Sequence, residues 1–431
     1  MKFKSLEELS DFYFQRFAYQ PPQISASPHP DARLIVVIPC FNEKDLLGTL
    51  KSLAACWPPD YPCEVIVVIN SAKHASEEIQ RQNEKTYQEA REWISFQQNE
   101  KLHFYLIRAE QLPPRQAGVG LARKIGMDEA LHRFGALNKK GGIVCLDADC
   151  RVEPNYFQEL EKHFLQGSGV LTLYFEHRLD QSPELNEGII NYELFLRYYI
   201  QGLKYSGFPQ AFHTIGSSMA VRADLYASSG GMNKRKAGED FYFLHKVAQM
   251  APVVEMTQTT VYPSARISKR VPFGTGKAQE KWLAQADKTF LSYAPQTFED
   301  LRLGLEKIPR LFQISSQAKN DFLTQLPKSL KEYWNQTFFW DKIKEINAKS
   351  PQLEGFMKHF WAWQDGLAQL KWVHYARDHH YPDKPITSGA AQLLSWLDPS
   401  FQANEEIPAE TLCRLYRERE RGASPKLLSG A

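Results

Sequence analysis

The chain has 431 residues, more than one small domain needs, so a large core with an accessory domain is the expected organisation. Its 52 lysines and arginines nearly balance 50 aspartates and glutamates, leaving a net charge of +2. That balance argues against a nucleic-acid partner, and the longest aliphatic runs, such as 65–69, fall far short of the roughly 20 residues of a membrane-crossing helix.

The opening MKFKSLEELSDFYFQRF interleaves charges with apolar residues and lacks the uninterrupted apolar stretch of a signal peptide. The six cysteines are scattered, unlike a small secreted disulfide scaffold. Reduced thiols and a cytoplasmic location are therefore expected. Leu6, Leu9, Tyr13 and Phe17 have helical spacing, and PPQISASPHPDA follows as a proline-rich linker, so residues 1–32 read as a helix and a tether.

From Arg33 the pattern alternates. Residues 34–38 predict a strand, DLLGTLKSLAAC a helix with Leu46, Leu47, Leu50 and Leu53 on one face, and 65–69 a second strand. The apolar runs at 104–107 and 143–146 continue the series. Continuous apolar strands belong to a parallel sheet covered by helices on both faces, so the fold class is α/β. Beyond about residue 290 helical spacing rich in Trp and Phe dominates, which predicts an all-α accessory region over 291–431. There Trp363, Leu367 and Leu370 read as one packing face, and His374, His379 and His380 lack a zinc spacing.

In open α/β sheets, ligands bind beyond the carboxyl ends of the strands. Those ends read Pro39-Cys40-Phe41-Asn42-Glu43, Asn70-Ser71-Ala72, Arg108-Ala109-Glu110 and Asp147-Ala148-Asp149. Aspartate is common in turns and at helix N-caps. A helix does follow, NYFQELEKHFL, but Pro154 suits its first position, which assigns the cap to Glu153 and leaves both aspartates unexplained. Two close carboxylates repel unless a cation sits between them, and a divalent ion with oxygen ligands is the usual solution. The spacing alone does not separate a metal site from a turn.

Upstream, LPPRQAGVGLARKIGMDEAL places Arg115, Arg123 and Lys124 in and after a glycine-containing loop, where a helix start favours anions. Arg123 stands where a dinucleotide fingerprint would have its third glycine, so that reading is weak. Glu239 and Asp240 open a later helix, where the helix dipole also favours acids. Arg266, Lys269, Arg270 and Lys277 follow among glycines, as a solvated loop or a clamp on a phosphate leaving group. Gly216-Ser217-Ser218 precedes a short strand, and Glu176-His177 follows another.

Taken in order, IPCFNE, VVIN, GVGLARKIGMDEAL, LDADCRVEP, GSSMAVRADLYASSGG and AGEDFYF resemble the family 2 glycosyltransferases of GT-A fold, over about residues 33–290. The resemblance implies a mostly parallel sheet flanked by helices. It implies transfer of a sugar from a nucleotide-diphosphate donor to an acceptor hydroxyl, with inversion at the anomeric carbon and a Mg or Mn ion, in glycan or polysaccharide biosynthesis. Carried onto this chain, Pro39 and Glu43 belong to the nucleoside pocket, Asn70 to base recognition, and Arg123 to the donor site. Asp147 lies beside the ribose and sugar, and Asp149 holds the metal. Asp240 is the general base with Glu239 beside it, Arg266 and Arg270 share the leaving diphosphate, and Gly216 and Ser217 line the acceptor site.

The pattern departs from the family at Ile69-Asn70-Ser71, where many relatives have two aspartates and a glycine, which leaves the nucleobase open. The membrane helices and QxxRW-like segment of processive synthases are absent. A soluble, non-processive enzyme is expected, acting on a glycan, lipid-linked or small-molecule acceptor and compatible with peripheral membrane contact. A sugar nucleotidyltransferase would need a glycine-rich, arginine-bearing loop after the first strand, which PCFNEKD is not. A non-catalytic nucleotide-sugar-binding module is opposed by the intact Asp147, Asp149 and Asp240.

Overall fold

The computed structural model describes residues 3–268, 274–402 and 407–422. It contains two compact units, Met1–Gln181 with Thr214–Lys277, and Ser182–His213 with Ala278–Ala431. The expected boundary near 290 thus falls at 278, and residues 182–213, read from sequence as part of the catalytic region, belong to the second unit.

In chain order the elements up to the end of the first unit are α1 (Leu6–Arg16), β1 (Leu34–Cys40), α2 (Leu46–Ala54), β2 (Cys63–Ala72), α3 (Glu77–Ser95), β3 (Leu102–Leu112), α4 (Val119–Ala136), β4 (Gly142–Cys145), β5 (Arg151–Val152), α5 (Tyr156–Leu165), β6 (Val170–Phe175), α6 (Pro183–Tyr205), β7 (Met219–Arg222), α7 (Ala223–Ser228), α8 (Glu239–Val247), β8 (Val253–Tyr262) and α9 (Thr275–Ala284). Then come β9 (Leu291–Ser292), α10 (Gln296–Leu305), α11 (Ser316–Thr324), α12 (Lys328–Gln336), α13 (Phe339–Lys349), α14 (Leu353–Trp363), α15 (Gly366–His379), β10 (Lys384–Pro385), α16 (Ile386–Leu397) and α17 (Ala409–Glu420).

Eight strands form one sheet in the order β3-β2-β1-β4-β7-β6-β8-β5. β1 pairs in parallel with β2 and β4, β2 with β3, and β6 with β8. The apolar runs are buried because both faces are covered: Leu34, Val36 and Ile38 join a core with Leu46, Leu50 and Leu53 of α2 and Phe157 and Leu160 of α5. On the other face Val37 lies so close to α4 that a side chain at Gly126 would collide with it. β7 departs from the expected parallel series. It runs antiparallel to β4 and β6, with Met219 opposite Cys145. That reversal brings the segment before β7, Gly216 to Ser218, to the carboxyl end of β4, from which Asp147 emerges.

α4 is buried nearly all round, so its charged residues need internal partners. Arg133 makes two bonds to Glu64, 2.5 and 2.8 Å, and a third to the Ala26 carbonyl, 2.8 Å. Asp128 accepts from the Tyr13 and Tyr226 hydroxyls, each at 2.6 Å, and pairs with Lys124 at 3.2 Å. Glu129 accepts the Gln23 N–H at 2.6 Å, and Glu64 that of His29 at 3.1 Å. α1 and the proline-rich stretch are therefore tied into the first unit through α4. A loose tether would leave those buried charges without their partners.

The second unit is built on aromatic packing, with Trp334 stacked on Phe339 at 4.1 Å between ring centroids. Trp363 ends α14 while Leu367 and Leu370 lie on α15, so the single face expected there is split where Asp365 caps α15 by accepting the Ala368 N–H at 3.0 Å. The three histidines go to separate partners: His374 to the Tyr293 hydroxyl, His379 onto the Tyr375 ring and His380 to Glu332. Among the described residues no helix is long and apolar enough to cross a membrane.

Candidate functional site

At the end of β4 the Leu146 N–H still bonds Val37 of β1 at 3.1 Å, and then the chain turns, with the Cys150 N–H bonding the Asp147 carbonyl at 3.2 Å. Asp147 and Asp149 ride this turn at the carboxyl edge of the sheet. α5 begins two residues later than the proline suggested, with Asn155 before it. Pro154 instead sits in a turn whose carbonyl accepts the Trp57 N–H at 2.8 Å, and the Glu153 carboxylate accepts from the Tyr262 hydroxyl. The assignment of Glu153 as cap is corrected: the residue before α5 is Asn155, so neither aspartate stands at that helix start.

Each aspartate meets an arginine from a distant element. Arg123, only 1% exposed, bonds Asp147 Oδ1 through Nη2 at 2.7 Å and Glu239 through Nη1. Burial works against its charge, but Glu239 and Asp147 outweigh that and hold the guanidinium above its ordinary pKa. Gly216 is a glycine because a Cβ there would stand 2.6 Å from Arg123 Nη2, and its backbone also bonds Asp240. A left-handed Gly238, φ 71°, opens α8 and sets Glu239 and Asp240 on its first turn. Burial raises both acids, Glu239 to about 7, against the pull of Arg123. Glu239 is buried, whereas Asp240 is partly exposed. The first turn of α4 packs closely: a Cβ at Gly120 would run into the Arg235 carbonyl and stand 3.0 Å from Glu239 Cβ.

Asp149 is paired by Arg266, whose Nη2 lies 2.8 Å from Asp149 Oδ2 and also bonds Glu43. Glu43 is fully buried and accepts the Asp45 N–H at 2.8 Å, while its carbonyl accepts from the Thr86 hydroxyl at 2.6 Å. Asn83 of α3 donates to the Asn70 carbonyl at 3.0 Å and accepts the Asn42 N–H at 2.9 Å, joining the ends of β1 and β2. Asn70 is buried, and its Oδ1 has no hydrogen-bond partner among the described residues. Pro39 is buried within β1 opposite Val68. Beyond Asn70 a cleft of about 320 Å³ is lined by Ser71, Ala72, Arg108 and Glu110, with Gln80, Arg81 and Glu84 of α3. Ser217 is buried and its side chain bonds the Cys150 thiol. Arg270 lies outside the described residues.

Sequence reasoning missed Asn83, Thr86 and Cys150. The only available signal was the spacing of Asn83, Thr86 and Ala90, which repeats at helical intervals on the buried side of a polar helix.

Among the described residues no group of three or more His, Cys, Asp or Glu could hold a metal alone. Asp147 and Asp149 do suit a hard cation that takes one or two carboxylates and completes its shell with water and phosphate oxygens. The guanidinium on Asp149 shows that this carboxylate stands where positive charge is held.

Residues 35–229 match the family model described as Glycosyl transferase family 2. No curated protein matches the chain. Similar solved structures include S. aureus TarS 1–349 in complex with UDP-GlcNAc, 13% identical, covering 73% of this chain and 90% of that one at a TM-score of 0.40. The mannosyltransferase PcManGT from Pyrobaculum calidifontis, in complex with GDP-Man and Mn2+, is 13% identical over 83% of this chain and 99% of its own, at a TM-score of 0.36. These likenesses are loose, and the assignment rests on the family match. The matched segment runs from β1 through α7 and carries Arg123, Asp147, Asp149 and Gly216, so over residues 35–229 the chain is similar to the family 2 glycosyl transferases.

Proposed function

We propose that the chain is a metal-dependent, inverting glycosyltransferase that moves a sugar from a nucleotide-diphosphate sugar to an acceptor hydroxyl, in glycan or polysaccharide biosynthesis. The observation that carries this reading is the Asp147–Arg123–Glu239 bridge, which joins the strand end that would hold the donor to the helix start that would hold the base.

Asp149, with Asp147 beside it, would hold Mg or Mn through the donor diphosphate, and the ion would offset charge growing on the leaving group. Asp240, the more exposed of the acidic pair, takes the acceptor proton as the hydroxyl attacks, and Glu239 holds Arg123. A base on one side and a leaving diphosphate on the other suit a single displacement, hence inversion. Asn70 Oδ1, buried and without a partner among the described residues, suits a base N–H. Pro39 and Glu43 complete the nucleoside side, Glu43 through the loop it holds, and Arg266 with Arg270 serves the leaving group. Gly216 lines the acceptor side through its backbone, and Ser217 supports it through Cys150. The acceptor is a glycan, a lipid-linked or a small molecule, and the site of action is the cytoplasm.

The test is a thermal-shift panel of nucleoside diphosphates and their sugars with and without Mn or Mg. A metal-dependent rise in Tm is expected, lost in Asp149→Ala. Metal-independent binding at wild-type strength in that variant overturns the assignment of Asp149.

A further inference from the structure

Arg266 makes a contact that the proposed reaction does not require. Its Nη2 bonds Asp149 and Glu43 together, two carboxylates from the ends of different strands. The two partners differ in kind. Glu43 is fully buried, with its carboxylate also bonded by the Asp45 N–H and its carbonyl held by Thr86 and Gln82, so it is a fixed anchor. Asp149 is the carboxylate that would take the metal. Arg266 itself is 32% exposed, enough to let the guanidinium swing without unpacking a core.

Building on the reading above, we infer that Arg266 is a built-in counter-cation for Asp149. In the donor-free chain it holds the charge position that Mg or Mn takes when the donor is present, so the metal enters with the nucleotide and not before it. Two cations on one carboxylate repel, and a bare ion must first displace Arg266 from Asp149. A diphosphate changes the balance: it supplies new anionic oxygens to both cations, so Arg266 moves to phosphate while Glu43 still tethers it. Nucleotide and metal then favour each other's binding, and the coupling is reciprocal.

The experiment is a titration with Mn2+ alone, followed by the electron paramagnetic resonance signal of the free ion, and then repeated with UDP or GDP. Wild type should bind Mn2+ alone weakly and gain affinity with nucleotide by at least about tenfold, within the usual range of coupling. Arg266→Ala should bind Mn2+ alone about tenfold more tightly than wild type, by removal of the competing cation. Glu43→Gln, which loosens the anchor, should move in the same direction, and Arg266→Lys should stay near wild type. Adding Asp149→Ala to Arg266→Ala should abolish the gain. The inference is overturned if folded Arg266→Ala and Glu43→Gln bind Mn2+ alone no more tightly than wild type, or if the gain survives loss of Asp149. Failure of the wider reading looks different: no nucleotide would bind wild type with or without metal, while the titration with Mn2+ alone would still report on Arg266.

Discussion

Arg123 holds Asp147 with one nitrogen and Glu239 with another, so its removal acts at two places at once. Arg123→Ala leaves Glu239 buried without its cation, which should cost about 3–5 kcal/mol in denaturant unfolding and abolish transfer. Asp240→Asn should be gentler on the fold: the metal-dependent nucleotide shift in Tm is retained while the transfer rate drops by about 10²–10⁴-fold, the usual worth of a general base. Retained transfer would remove Asp240 from that role. The acidic pair also predicts opposite pH trends. Glu239 is raised from 4.5 to about 7 in the fold, so the native state binds its proton more tightly than the unfolded chain between those values. Its contribution to stability is full below about 4.5 and lost as pH rises through about 7, whereas transfer should fall as pH drops and the pair, both of whose acids burial raises, takes up a proton. Tm and kcat/KM measured from pH 5 to 8 check this, with Glu239→Gln flattening the Tm trend. Which acid answers which arginine was not legible in the sequence, because Arg123 lies 24 residues from Asp147 and 116 from Glu239 and no local spacing links them.

At the scale of elements, α4 joins the N-terminal segment to the site. Its start was legible from the glycines, and the burial of Ala122, Ile125 and Ala130 from their spacing. The burial of its charged side was not legible, since nothing along the chain pairs Asp128 with Tyr13 and Tyr226 or Arg133 with Glu64. The close approach at Gly120 gives a test. Gly120→Ala puts a methyl group against the Arg235 carbonyl, a backbone atom that a rotamer change cannot move aside. A loss of about 1–3 kcal/mol is expected on unfolding, as for overpacked sites, with a slower transfer step because the loop leading to Glu239 shifts. Unchanged stability would show that this loop yields freely. The antiparallel entry of β7 belongs to the same scale: Met219-Ala220-Val221 reads as a strand, but its direction depends on the pairing across from β4.

For the molecule as a whole, the second unit is closed by an ion cluster that joins distant parts of the chain. Arg197 of α6, wholly buried, bonds Glu193 and Glu420; Arg417 bonds Glu193 at 2.7 Å; and His213 approaches Glu420 at 3.0 Å. Burial alone would raise Glu420, but Arg197 and His213 pull it down to about 2. Its stabilising contribution is therefore present above the ordinary carboxylate range and lost as pH falls toward about 2. Glu420→Ala should cost about 3–5 kcal/mol, the usual penalty for stranding a buried charge. Seven of the nine tryptophans lie in residues 278–431, so tryptophan fluorescence during unfolding reports chiefly on this unit. An unchanged midpoint would mean that the cluster contributes nothing to closing α17 onto α6.

The sequence by itself determined the alternating core, the end of the first strand at Cys40, the emergence of Asp147 just beyond the strand 142–145, and the helical character of the region beyond 290. Long apolar runs have to be buried, and that requirement is local. Only the tertiary structure decided that Asp147 answers to Arg123 and Asp149 to Arg266, that β7 turns Gly216 toward the aspartates, and that α6 belongs with the C-terminal helices. A buried charge costs free energy until an opposite charge lies within a few ångströms. That proximity is created by packing between segments as much as 224 residues apart, where no pattern along the chain records it.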